Sequence, residues 1–171
     1  GTNIWHYGAQ FLWEPDWGRA TAKNSRYGNG LPDSPLAGDL YQYNGASSTD
    51  SYTASLYAGG PIIKDKLFFF AAAELQRTWG GRTNTLDSGG NYVSYANKMP
   101  RAYAKLNWNI TDNHILELTG VLDELKNNGN VYAYDYDSNR RGPLSYVNGE
   151  AETGGHMWTA RYTGYLTDTL T

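Results

Sequence analysis

The stretch Gly59-Gly60-Pro61-Ile62-Ile63-Lys64-Asp65-Lys66-Leu67-Phe68-Phe69-Phe70-Ala71-Ala72-Ala73-Glu74 decides the fold, because a strand end, a tight polar turn and a new strand follow one another with no spare residues. Gly59 and Gly60 loosen the backbone, Pro61 cannot donate to a ladder, and Lys64-Asp65-Lys66 makes a charged tip. Beyond the tip, Leu67, Phe69, Ala71, Ala73 and Leu75 share one face of an extended chain, while Phe68, Phe70, Ala72, Glu74, Gln76 and Thr78 share the other. A helix competes for residues 67–76, but the Gly-Pro approach and the aromatic run favour a strand. Ahead of the turn, Tyr52, Ala54, Leu56 and Ala58 alternate with Ser51, Thr53, Ser55 and Tyr57. The unit reads as an antiparallel hairpin with one apolar face.

The same alternation recurs along the chain. Trp5, Tyr7, Ala9, Phe11 and Trp13 oppose His6, Gly8, Gln10 and Leu12, with aromatic rings at both ends of the apolar series. Ala102, Ala104, Leu106 and Trp108 oppose Arg101, Tyr103, Lys105 and Asn107. After a turn at Asn109-Ile110-Thr111-Asp112-Asn113, Leu116, Leu118, Gly120 and Leu122 oppose Glu117, Thr119, Val121 and Asp123. Trp158, Ala160, Tyr162, Gly164 and Leu166 oppose Met157, Thr159, Arg161 and Thr163. Six strands are therefore expected at about 3–13, 51–59, 67–78, 100–108, 114–124 and 155–166. Between them, residues 14–50, 80–97 and 126–153 are rich in Gly, Ser and Asn without sustained alternation, and read as three long loops.

Composition narrows the class. The 171 residues carry 14 basic and 17 acidic side chains, a net charge of -3, and lack the basic footprint that nucleic-acid binding needs. There is no Cys, hence neither a disulfide framework nor a thiolate metal site. Mean hydropathy is -0.64, and the apolar run at 67–73 falls far short of the ~20 residues of a membrane-spanning helix. Membrane strands escape that test, because an alternating chain is polar on average while turning an unbroken apolar band to lipid. Long and short connections that alternate match outer-membrane barrels, whose turns are short on one side and long on the other. A band ~25 Å tall crossed at ~40° needs about 10 residues per strand, close to the expected lengths. The fold class is thus all-β, an antiparallel up-and-down transmembrane β-barrel, present here in part.

The turn motif from Gly59 to Phe70 closely resembles the first periplasmic turn of TonB-dependent outer-membrane receptors, and most of all the Oar-like group. Gly1-Thr2-Asn3 with Trp5-His6 is similar to the start of the barrel in those proteins. Ala71-Ala72-Ala73 stands where many relatives have Gly after the Phe run. The resemblance implies a barrel of about 22 strands in a Gram-negative outer membrane. It also implies a plug domain outside this chain, energisation through TonB, and transport of a ligand whose identity and direction of passage are open. Outer-membrane lipid, the plug and, through it, TonB are the implied partners.

Parity assigns His6, Gln10, Glu74, Gln76, Arg101, Lys105, Glu117, Asp123 and Arg161 to the barrel interior, where they would contact the plug, water and one another. In the third loop, Tyr132, Tyr134, Asp135, Tyr136 and Asp137 set aromatic rings beside carboxylates, a contact surface suited to a sugar, peptide or siderophore. Asp135, Asp137 and Asn139 match half of a calcium loop, but Arg140 stands where Gly is needed and no Glu closes it. His6, His114 and His156 fall at different strand positions, and no nucleophile elbow or phosphate-cradling loop is present. No enzyme activity, metal or cofactor is expected. The rivals are another outer-membrane barrel, a porin or adhesin, and a soluble carbohydrate-binding β-sandwich.

Overall fold

The computed structural model describes residues 2–28 and 38–165. Six strands form one antiparallel sheet: β1 (His6–Glu14), β4 (Ser48–Ile63), β5 (Leu67–Thr83), β6 (Tyr92–Thr111), β7 (His114–Asp135) and β8 (Arg140–Gly164), in the order β1-β4-β5-β6-β7-β8. A ribbon of β2 (Ser25–Arg26) and β3 (Leu40–Gln42) lies within the first long connection. Each large strand thus pairs with its neighbours in sequence, an up-and-down meander with β1 and β8 as open edges.

The decisive hairpin forms as its sequence requires. Lys66 N–H donates to Ile63 O at 3.1 Å, and Asp65 takes the left-handed conformation at φ 62° that an Asp tolerates in a tight turn. Asn3 Oδ1 accepts from Asp65 N–H at 3.0 Å, so the start of the chain is tied to the turn. Asn109 N–H donates to Lys66 O at 2.7 Å and ties the next strand to it as well.

Register then sorts the side chains. One row runs Tyr7, Ala58, Ala71, Ala104, Gly120 and Trp158; the next runs Ala9, Leu56, Ala73, Ala102 and Leu122. Toward the turn end stand Leu67, Trp108, Leu116 and Tyr162; toward the far end stand Phe11, Ala54, Leu75 and Pro100. The step from Leu67 to Leu75 is ~27 Å along the strand. Aromatic rings bracket this band, with Trp5 edge-on to Phe69 at 5.3 Å at one end and Tyr52 against Phe11 and Trp79 at the other. Ala and Gly dominate the middle on the four inner strands, and Tyr7 and Trp158 stand in that row on the outer two.

The sheet is a single layer. Among the described residues only Phe68 and Val131 are buried apolar side chains, while Tyr7 is 80% exposed and Trp158 74% exposed. Among the described residues no second layer covers the apolar face.

Two of the three expected long loops are mostly strand. The connection from β5 to β6 shrinks to residues 84–91 and that from β7 to β8 to residues 136–139, because strand lengths climb from 9 residues in β1 to 25 in β8. The turn between β6 and β7 likewise contracts to Asp112 and Asn113. Hydrophobic alternation stops where the apolar band stops, but the backbone ladder does not: Asn127 pairs with Asn97 and Asn128 with Ala96 even though neither face there is apolar. Main-chain hydrogen bonds and tyrosine packing sustain the extension. Only the first connection, between β1 and β4, is long, and its residues 29–37 lie outside the described residues, as does Leu166 at the expected end of the last strand.

A charged polar face and a tyrosine cap as candidate sites

The face opposite the apolar band gathers all nine polar residues expected there. Gln10, Ser55, Glu74, Arg101 and Asp123 form one row across five strands. Arg101 stands between two carboxylates, its Nε donating to Asp123 Oδ1 at 3.1 Å and its Nη1 to Glu74 Oε1 at 3.3 Å. A second group lies nearer the turn end, where Lys105 Nζ reaches Glu117 Oε1 at 2.8 Å and Arg161 Nη1 lies 4.0 Å from Glu117 Oε2. Both groups are partly exposed, so each pair taken singly contributes little to stability. His6 and Gln76 share the face without joining either group.

Between the two charged groups the same face carries rings. Tyr57 stacks on Phe70 at 6.2 Å, and Phe70 meets Tyr103 at 6.0 Å. Tyr57, Tyr103, Glu74, Arg101 and Asp123 line a concavity of about 690 Å³. Ala72, Val121 and Leu122 line it too, so charged groups of both signs and phenol rings share the concavity with apolar side chains, a mixed surface that suits packing against another protein element. Tyr57 and Tyr103 share the parity of this face but, as aromatic residues, do not stand out among its polar side chains.

Of the five residues proposed from the third loop, three lie in a strand and two in a tight turn. Tyr132, Tyr134 and Asp135 belong to the end of β7; Tyr136 and Asp137 begin the turn. Their rings pack within the protein. Tyr134 meets Tyr136 at 5.1 Å, Tyr43 at 6.4 Å and Tyr92 at 6.4 Å, and the Arg141 guanidinium lies 4.6 Å from the Tyr132 ring centre and 5.4 Å from that of Tyr92. Burial among these rings pushes the Tyr134 phenol pKa up.

Asp135 is occupied as well. It accepts from Ser138 Oγ at 2.6 Å and from Asp137 N–H at 2.9 Å, and the Ser138 hydroxyl above all holds its carboxyl below the usual carboxylate range. These bonds close the β7–β8 turn, with Asn139 at φ 52°.

The first long connection folds onto this cap. Thr83, fully buried, donates its hydroxyl to Tyr43 O at 2.6 Å, and Gln42 Nε2 donates to Thr83 O at 2.6 Å. Tyr41 hydroxyl donates to Asp87 Oδ2 at 2.8 Å, and its ring lies edge-on to Tyr27 at 4.8 Å. Tyr136 hydroxyl donates to Asn84 O. Tyr27, Tyr41, Tyr43, Tyr92 and Arg141 were not singled out from sequence. Their one signal is that tyrosines recur in segments poor in aliphatic residues, which apolar periodicity does not weigh.

Comparison with protein-family models, curated proteins and solved structures finds no match to this chain.

Proposed function

We propose that the chain is part of the wall of an outer-membrane β-barrel of the TonB-dependent receptor type, and that it takes part in energised passage of a ligand across that membrane. The observation that carries this reading is the two-sidedness of a single-layer meander: an apolar band bracketed by rings on one face, paired charges on the other. Tilted by ~40°, the ~27 Å from Leu67 to Leu75 becomes ~21 Å, near the ~25 Å apolar band of such barrels. The open edges at β1 and β8 are where further strands of a closed barrel would pair.

In this reading the apolar face meets lipid, Glu74, Arg101, Asp123, Lys105, Glu117 and Arg161 face the lumen, and the short turns at 64–66 and 112–113 point to the periplasm. The tyrosine cap then rises above the outer surface. The family assignment rests on the turn motif from Gly59 to Phe70 and on the alternating topology. A carbohydrate-binding sandwich would place a second sheet over one face, and the described strands form one layer.

Cysteine accessibility tests the reading, since the chain has no Cys of its own. In the full-length protein, freed of other cysteines and in intact outer membranes, Leu56→Cys should resist a water-soluble maleimide and Ser55→Cys should react. Equal reaction at the two neighbouring positions would sink the lipid assignment. Ligand uptake that persists after loss of TonB would sink the energised-transport part alone.

A further inference from the structure

At the far border of the apolar band, one row of side chains has a charge pattern that strand pairing does not explain. Register sets Arg77 beside Lys98 and Lys98 beside Lys126, so three cations stand on adjacent strands ~4.8 Å apart. Like charges directly opposite in a sheet oppose pairing. Lys126 is compensated by Glu152 at 2.9 Å and Glu124 at 3.7 Å. Arg77 has only the ring of Trp79, 5.8 Å from its guanidinium carbon, and Lys98 has no ion-pair partner among the described residues.

These cations line a pocket of about 360 Å³ together with Tyr52, Leu75 and Asn128. Glu150 lines it too. Three cations and one carboxylate thus line the pocket, and of the cations Arg77 on β5 and Lys98 on β6 make no ion pair among the described residues. On one side of the row lie Ala54, Leu75 and Pro100, the last apolar row; on the other lie Trp79 and Ala96. The pocket has an excess of cations over carboxylates, Leu75 and Ala96 in its wall, and the Tyr52 ring, of the kind that sits at headgroup level, at its side.

We propose that this pocket binds the phosphorylated headgroup of an anionic membrane lipid. Arg77 presents its planar fork and Lys98 its ammonium to the phosphate oxygens, which relieves the like-charge contact, while the acyl chains run down the apolar band past Leu75. A phosphate free in solution would gain nothing from those apolar side chains. The proposal rests on the membrane reading above and adds to it a lipid site on the outer wall.

The test uses the full-length protein reconstituted in bilayers of zwitterionic phosphatidylcholine containing phosphatidic acid, with retained lipids weighed by native mass spectrometry after transfer to detergent. The wild type should retain phosphatidic acid in preference to phosphatidylcholine, and Arg77→Gln with Lys98→Gln should weaken that retention by about an order of magnitude. Inserted protein whose double variant keeps phosphatidic acid as well as the wild type would overturn the lipid site alone. Displacement of the lipid by inorganic phosphate would show a soluble-anion site instead and overturn the lipid assignment. Protein that never enters the bilayer would refute the membrane reading itself, and with it the pocket, before any lipid is weighed.

Discussion

Ala71 and Glu74 stand three positions apart on β5 and project from opposite faces of the same single-layer sheet, Ala71 between Ala58 and Ala104 and Glu74 between Ser55 and Arg101. An odd step along a strand is enough to exchange one environment for the other.

The two positions should therefore differ sharply in tolerance. In the full-length protein, Ala71→Arg places a cation in the middle of the apolar band and should cost ~2–4 kcal/mol, while Glu74→Ala loses one partly exposed ion pair. Folding titrations in lipid vesicles, or the yield of assembled protein in the outer membrane, read the difference. Similar losses at both positions would contradict the assignment of faces.

Arg101 joins two carboxylates that would otherwise sit on one row with nothing between them. Its side chain is 48% exposed, so Arg101→Ala should destabilise only slightly. A double-mutant cycle with Glu74→Ala should return a small favourable coupling at low salt, and a smaller one at high salt. A coupling indifferent to salt would mean that packing, not charge, links them.

Gly154 lies opposite Glu124 at φ 95°, and a Cβ there would stand 2.0 Å from Asp123 O. Backbone cannot yield as a side chain can, and the conformation itself excludes most L residues. Gly154→Ala should cost ~1–3 kcal/mol and loosen the pairing of β7 with β8, seen as faster amide exchange at residues 123–126. Gly149→Ala, with open space around its Cβ, is the comparison and should change little.

Acid should loosen the tyrosine cap before it affects the apolar band. The Thr85 hydroxyl, then Tyr41, hold the Asp87 carboxyl below its ordinary value, and Ser138 does the same for Asp135. A lowered pKa in the folded state means that the stabilisation is present above the ordinary carboxylate value of ~4 and is lost as pH falls through the lower folded values. Amide exchange at Gly90 and Ser138 should accelerate over that range. Asp87→Asn and Asp135→Asn should flatten the dependence, and an unchanged acid profile in the double variant would show that other groups govern the cap.

Much of this architecture was legible because β-strands encode their two faces with a period of two. The register that sets Ser55 opposite Glu74 follows from the turn at 64–66, and that which sets Arg101 opposite Asp123 from the turn at 112–113, both written locally; Glu74 opposite Arg101 depends on the β5–β6 connection at 84–91. The extension of β7 and β8 was not legible. Asn127, Asn128, Gly129 and Asn130 are poor strand formers, and the ladder persists there through pairing with residues 30 to 36 positions upstream on β6.

By itself, then, the sequence determined the strands that cross the apolar band, their order and the face of every charged residue within it, because alternation and tight turns are properties of neighbouring residues. Only the tertiary structure decided how far the hairpins rise beyond the band, that Tyr43 and Tyr92 meet Tyr134 in one cap, and that Arg77, Lys98 and Lys126 line up on three strands. Those are contacts between distant segments, set by register and long-range packing, and no local periodicity carries them.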